Sequence, residues 1–142
     1  MRVVLDSNSF APERAHSDDA GYDLRTPCRF IVAPFTVMNG AGSATIDTGI
    51  HVEIPHGCVG LLKSKSGLNV HHNIIGEGVI DEGYTGSIVV KLYNLGPEQY
   101  TFQRGDKIIQ LIIQKVEKPE IELVTELEET ERGSAGFGSS GK

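Results

Sequence analysis

The sequence predicts an all-β domain of sandwich or barrel-like type, and three observations carry that prediction. Apolar residues recur with period two along several short runs. The runs are separated at short intervals by clusters of Gly, Pro, Asn and Asp. Almost no stretch shows the 3.6-residue spacing of an amphipathic helix. Glycine is in excess, 17 of 142 residues, or about 12% against an ordinary ~7%. The excess is neither periodic nor paired with proline, which excludes collagen and points to turns or to places where backbone approaches something closely.

Taken in order, Ile46 to Ile54 alternates apolar and polar, with Ile50, Val52 and Ile54 on one face. Ser87 to Tyr93 sets Ile88, Val90 and Leu92 against Val89, Lys91 and Tyr93. Ile108 to Val116 is a longer β-branched run that suits a strand buried on both faces. Turns are predicted at Asn39-Gly40-Ala41-Gly42, Pro55-His56-Gly57, Glu82 to Gly86 and Asn94 to Pro97. A single helical turn fits Gly67 to His72, which lacks strand alternation. Glu117 to Glu131 is acidic and carries the last apolar positions, Ile121, Leu123, Val124 and Leu127. No repeat and no interdomain linker is visible. Residues 1–142 read as one domain, with a β core over 1–125 and a C-terminal arm over 126–142.

Composition narrows the function. The formal charge of −6 argues against direct nucleic-acid binding, which needs a basic face to displace counterions. A small anionic ligand needs only a few local cations or a metal. Cys28 and Cys58 form no CxxC and no disulfide framework, and so read as reduced thiols. The N-terminus lacks the apolar region of a signal peptide and no run approaches the ~20 apolar residues of a membrane span. The expectation is a soluble, cytoplasmic chain without membrane contact.

Four segments hold residue types suited to chemistry. Gly78 to Gly86 (Gly-Val-Ile-Asp-Glu-Gly-Tyr-Thr-Gly) places Asp81 at the end of an apolar strand, where it serves as a turn-former or as a general base. Tyr84 in the same turn is either a surface aromatic or a platform for a ring. Lys63-Ser64-Lys65-Ser66-Gly67 offers ammonium charge, hydroxyls and free backbone N–H groups, a composition that suits phosphate or a solvated strand end. It lacks Walker A spacing. Asp18-Asp19-Ala20-Gly21-Tyr22-Asp23 clusters hard oxygen donors of the kind Mg²⁺ accepts, without EF-hand spacing. His71-His72 lacks the partners of a zinc site and reads as structural or solvent-facing. Arg132 to Lys142 combines an arginine fork, glycines and serines with the isolated Phe137, which suits a flap over a ligand or a frayed tail.

Taken in chain order and together with Gly105 to Leu111, the segments resemble the five motifs of the trimeric dUTP pyrophosphatases (dUTPases), over nearly the whole chain. The motifs are Ala20 to Leu24, Lys65 to Leu68, Gly78 to Gly86, Gly105 to Leu111 and the tail from Arg132 to Gly141. The resemblance implies a distorted jelly-roll or β-clip barrel with little helix and a flexible C-terminal tail. It implies a homotrimer with shared active sites, in which Mg²⁺-assisted water attack on the α-phosphorus of dUTP releases dUMP and pyrophosphate. That reaction limits uracil in DNA and supplies dUMP for dTMP synthesis. By resemblance, Asp81 is the general base and Asp23 holds Mg²⁺ through water. Lys65, Ser66, Gly67 and Gln110 meet the phosphates, and Tyr84 packs on deoxyribose. A tight hairpin carrying Gly78, Val79, Ile80 and Val89 reads uracil. Arg132 reaches the γ-phosphate, Phe137 covers the base, and Gly138, Ser139 and Ser140 complete the flap. Lys65 stands where arginine is usual, Ala135 where glycine is common and Ser140 where threonine is common. The rival readings are a dCTP deaminase-like enzyme, which would release ammonia, and a non-catalytic regulatory module.

Overall fold

The computed structural model describes residues 1–134. Eleven strands and one short helix follow in the order β1 (Val3–Leu5), β2 (Gly21–Arg25), β3 (Phe30–Val32), β4 (Gly42–Asp47), β5 (Ile50–Val52), β6 (Cys58–Lys63), α1 (Ser66–His72), β7 (Ile74–Ile75), β8 (Glu77–Ile80), β9 (Val89–Asn94), β10 (Tyr100–Phe102) and β11 (Lys107–Lys115). The all-β expectation holds. No helix among the described residues is long and apolar enough to cross a membrane.

The strands form a four-stranded sheet in the order β2-β11-β6-β8, a three-stranded sheet β4-β9-β7, and two-stranded pairs β1-β5 and β10-β3. Their inner faces meet in one core. Ile88, Val90 and Leu92 are buried on one face of β9 and its approach, while Val89, Lys91 and Tyr93 are exposed. Ile50, Val52 and Ile54 likewise share a buried face. β11 is central in its sheet, and Ile108, Ile109 and Leu111 are all buried. Its second half is half-buried or exposed, so burial on both faces applies to the first half only. Each such side chain contributes about 1.5–3 kcal/mol by leaving water, and sixteen apolar residues form the cluster.

Two segments differ from expectation. The helix spans seven residues, closed by Asn73 in the left-handed region (φ 55°) with its N–H on Asn69 O and Leu68 O. The left-handed cap resembles the usual glycine solution, which asparagine also tolerates. The last strand closes at Lys115, and Ile121, Leu123 and Leu127 are exposed in the single chain.

Candidate active site

The end of the four-stranded sheet where β6 runs into α1 gathers positive charge. Lys65 is the N-cap residue of α1, and Ser66 and Gly67 open its first turn, where backbone N–H groups have no intrahelical acceptor. Register then brings in two other strands. Gln110 on β11 is paired with Lys63 of β6 on one side and with Asp23 of β2 on the other. A register shift between Lys107 and Ile109 adds a residue at the start of β11. Lys107 Nζ lies 2.7 Å from Asp23 Oδ2, and Lys65 Nζ lies 2.5 Å from Oδ1. Gln110 Nε2 also donates to Oδ1 at 3.3 Å.

Asp23 is 3% exposed. Burial alone would raise its pKa, but the ammonium groups of Lys107 and Lys65 outweigh that effect and hold the carboxyl below its ordinary value. One carboxylate between two ammoniums leaves a formal local charge of +1, an environment suited to phosphate oxygens. Lys107 carried no assigned role in the sequence. The strand register and the irregularity at the start of β11 bring it to Asp23, and neither is written locally.

The fit of Mg²⁺ follows from the same donor set. Among the described residues no three His, Cys, Asp or Glu side chains form a metal cluster. A carboxylate has about four lone-pair sites, and three donors already occupy most of those of Asp23. Direct coordination in a protein cage is therefore a poor fit. A single water-mediated contact fits, in keeping with the habit of Mg²⁺ to retain waters and bind substrate phosphates.

The other end of β6 carries the second half of the candidate site. Here the structure corrects one expectation. Residues 77–94 do not form a tight hydrogen-bonded hairpin. β7 pairs with β9, but after Gly76 the chain changes sheets and β8 pairs with β6. A Cβ at Gly76 would sit 2.9 Å from Lys91 O and 2.8 Å from Leu92 Cδ2, so the crossing requires glycine. Beyond it β8 is the edge strand of its sheet, and the Val89 end of β9 pairs only with β4. Among the described residues both inner edges of this splayed hairpin lack a strand partner. Unpaired backbone N–H and C=O groups are a template for any planar group with complementary donors and acceptors. Val79 and Val89 are exposed, Gly78 packs on Leu62, and Ile80 is buried and anchors the strand.

Asp81 follows Ile80 and is exposed; its carboxylate has no hydrogen bond or ion pair among the described residues. Its carbonyl accepts from Tyr84 N at 3.1 Å, closing the turn. The Tyr84 hydroxyl donates to Ser87 O at 2.9 Å and its ring lies on Gly86, where a Cβ would come within 2.3 Å of the phenol oxygen. Two histidines brace the turn from outside. His51 Nδ1 donates to Thr85 O at 2.8 Å, which raises the pKa of His51. His56 Nδ1 donates to Glu82 Oε1 at 2.6 Å. Glu82 further accepts from Lys118 Nζ at 2.5 Å and from Gly57 N at 3.1 Å. Lys118, then His56 and the Gly57 amide, hold the Glu82 carboxyl down at about 2. Sequence reasoning missed Glu82 because its partners lie 25 to 36 residues away.

The two halves stand apart within one chain. Asp81 follows Ile80, which pairs with Gly60, whereas Lys65 lies five residues further along from Gly60. At ~3.3 Å per residue the separation is roughly 15–20 Å. Arg132 lies in an exposed turn in which Gly133 N donates to Thr130 O at 3.0 Å. Phe137, Gly138, Ser139 and Ser140, with Ala135, lie outside the described residues. His71 and His72 are exposed, the latter with its ring 4.6 Å from that of Tyr100.

Comparison with known proteins supplies the family. The family model described as dUTPase matches residues 7–141. The chain is 41% identical over 141 residues to the mouse deoxyuridine 5'-triphosphate nucleotidohydrolase, covering 99% of this chain and 83% of the mouse protein. Among solved structures, a variant of the Staphylococcus bacteriophage 80alpha dUTPase with dUpNHpp superimposes with a TM-score of 0.87 at 31% identity, covering 99% of this chain and 98% of that one. A variant dUTPase from phage phi11 of S. aureus, described with a structural Mg(II) ion, gives a TM-score of 0.77 at 29% identity, over 88% of this chain and 96% of that one. The chain belongs to the dUTPase family and is a dUTP-hydrolysing enzyme.

Proposed function

We propose that water attacks the α-phosphorus of dUTP in a site shared between copies of this chain, and that Asp81 takes the proton from that water. The bond formed joins the water oxygen to the α-phosphorus; the bond broken is the one to the oxygen that leaves with pyrophosphate. The observation that carries this reading is the contrast at Asp81. Its carboxylate is exposed and unpaired among the described residues, beside two open strand edges, while Glu82, Tyr84 and Thr85 around it are tied down. A base must be accessible and held in place, and this turn provides both.

The splayed edges at Gly78, Val79, Ile80 and Val89 suit the donor and acceptor pattern of uracil. A buried site that matches those groups rejects cytosine by leaving its own polar atoms unpaired. Tyr84 presents its ring beside that slot for deoxyribose. Lys65, Ser66, Gly67, Gln110 and, in addition, Lys107 suit the phosphates. Adjacent phosphates share a single bridging oxygen, so cations roughly 15–20 Å from Asp81 cannot serve the same triphosphate within one chain. Two copies are needed to assemble one site, which supports a homotrimer with shared active sites. Arg132 and the following Phe137, Gly138, Ser139 and Ser140 are proposed to close over the γ-phosphate and the base from a neighbouring copy. Mg²⁺, when bound, offsets charge on the phosphate oxygens, with Asp23 reaching it through water. The products would keep uracil out of DNA and supply dUMP for dTMP synthesis. Free Cys28 and Cys58 suit the reducing cytoplasm as the place of action.

The test is pyrophosphate release from dUTP with Mg²⁺, with dCTP, dTTP and UTP as controls and ammonia assayed in parallel. Asp81→Asn is expected to lower kcat by about 10²–10⁴-fold, the usual range for a general base, with dUTP binding largely retained. Near-normal turnover in that variant would remove Asp81 as the base, and ammonia release would favour the deaminase reading.

A further inference from the structure

We propose that Glu82 is a positioning residue that couples the segment just beyond β11 to the turn carrying Asp81. Four ties converge on this junction. Glu82 accepts from Lys118 Nζ at 2.5 Å, from His56 Nδ1 at 2.6 Å and from Gly57 N at 3.1 Å. Independently, Val116 N donates to Gly57 O at 3.0 Å. Three segments far apart in sequence thus meet: the 81–84 turn, the 55–57 loop and the segment just beyond β11. Glu82 is half-buried, and its side chain is 24% exposed against 58% for Lys118.

The consequence rests on the reading of Asp81 as the base. Glu82 is its immediate neighbour, so any torque on the Glu82 side chain acts on the backbone that aims Asp81. Loss of the Lys118 contact removes one of the three hydrogen bonds that hold the Glu82 carboxylate, and with it one anchor of the turn. Misplacement of a reacting group by about 1 Å can cost 10²-fold, so loosening this turn is read in kcat rather than in KM. Glu82 itself touches no reacting atom.

The experiment uses the full-length chain in its native assembly, with steady-state kinetics on Mg²⁺–dUTP and calorimetry on each variant. Glu82→Gln is expected to lower kcat about tenfold with KM within about twofold of wild type. Lys118→Met, on an exposed side chain, is expected to lower kcat severalfold without loss of the folded state. The double variant should be no slower than Glu82→Gln alone, because both substitutions cut the same tie. Lys118→Arg, which keeps the charge, should restore near-normal kcat. A Glu82→Gln enzyme with kcat within twofold of wild type would overturn the proposal, as would losses that multiply in the double variant or that fall on KM alone. Asp81→Asn is run alongside. If it is inactive while Glu82→Gln is normal, only the coupling role fails. If it is active, the base assignment fails and the coupling role with it.

Discussion

The two carboxylates of the candidate site live in opposite surroundings. Asp23 is buried in the middle of a sheet, and three donors, two from β11 and one from a helix cap, occupy most of its lone pairs. Asp81 stands in solvent at the end of an edge strand, its own oxygens unclaimed among the described residues. The difference separates two jobs. A carboxylate that organises cations for phosphate must be held below its ordinary pKa and kept from moving. A base must keep a lone pair available and owe its position to its neighbours instead. Here those neighbours are Glu82 and Thr85, tied to distant parts of the chain, and Tyr84, tied to Ser87 within the loop.

Substitutions at the two carboxylates test that contrast directly. The largest expected effect is on chemistry, at Asp81: kcat falls by orders of magnitude in Asp81→Asn, while the midpoint of thermal unfolding stays put. An exposed, unpaired side chain contributes within about 0.5 kcal/mol to stability. A large drop in the unfolding midpoint would break the comparison from that side. At Asp23 the order reverses. Asp23→Ala removes the buried carboxylate that Lys65 and Lys107 share, leaving Lys107 only Glu13 at 3.8 Å, and charged hydrogen bonds of this kind are each worth about 1.5–3 kcal/mol. Partial exposure of both lysines lowers that figure through solvent screening. A clear loss of stability and a raised KM for dUTP are expected in denaturation and kinetic measurements; unchanged stability would show that the cluster is not a structural unit.

A smaller effect is expected at Lys65. Lys65→Arg restores a planar fork that can bind Asp23 or phosphate in bidentate fashion, so turnover should be unchanged or improved. A marked loss would mean that the cluster has adapted to the compact ammonium. The smallest effect is the pH dependence of the Glu82 tie. Its folded-state pKa of about 2 lies below the ordinary 4.5. The tie therefore stabilises the folded chain fully above about pH 4.5, and that contribution is lost as pH falls through about 2. The difference in unfolding midpoint between wild type and Glu82→Gln should shrink as pH falls over this window. A difference that stays constant would mean that the charge on Glu82 contributes nothing.

Much of the fold is legible in the sequence because β periodicity is a local property. Ile88, Val90 and Leu92 announce a one-sided strand by their spacing alone, and the buried face of β9 agrees. Motif order likewise points to Asp81, Tyr84, Lys65, Gln110 and Asp23 before any coordinate is known. The splayed hairpin is not legible, since nothing local between Ile74 and Ile80 marks a change of sheet. Only the close approach of Lys91 O and Leu92 to Gly76 shows why the chain must change sheets there.

By itself the sequence determined the fold class, the family and the residue types of the site, because alternation, turn chemistry and motif spacing are written within short stretches. Tertiary structure alone decided which charges meet. Lys107 reaches Asp23 through strand register, Lys118 reaches Glu82 across 36 residues, and β6 holds Asp81 and Lys65 at opposite ends. Contacts of that kind depend on how strands pair at long range, and no local pattern encodes the pairing.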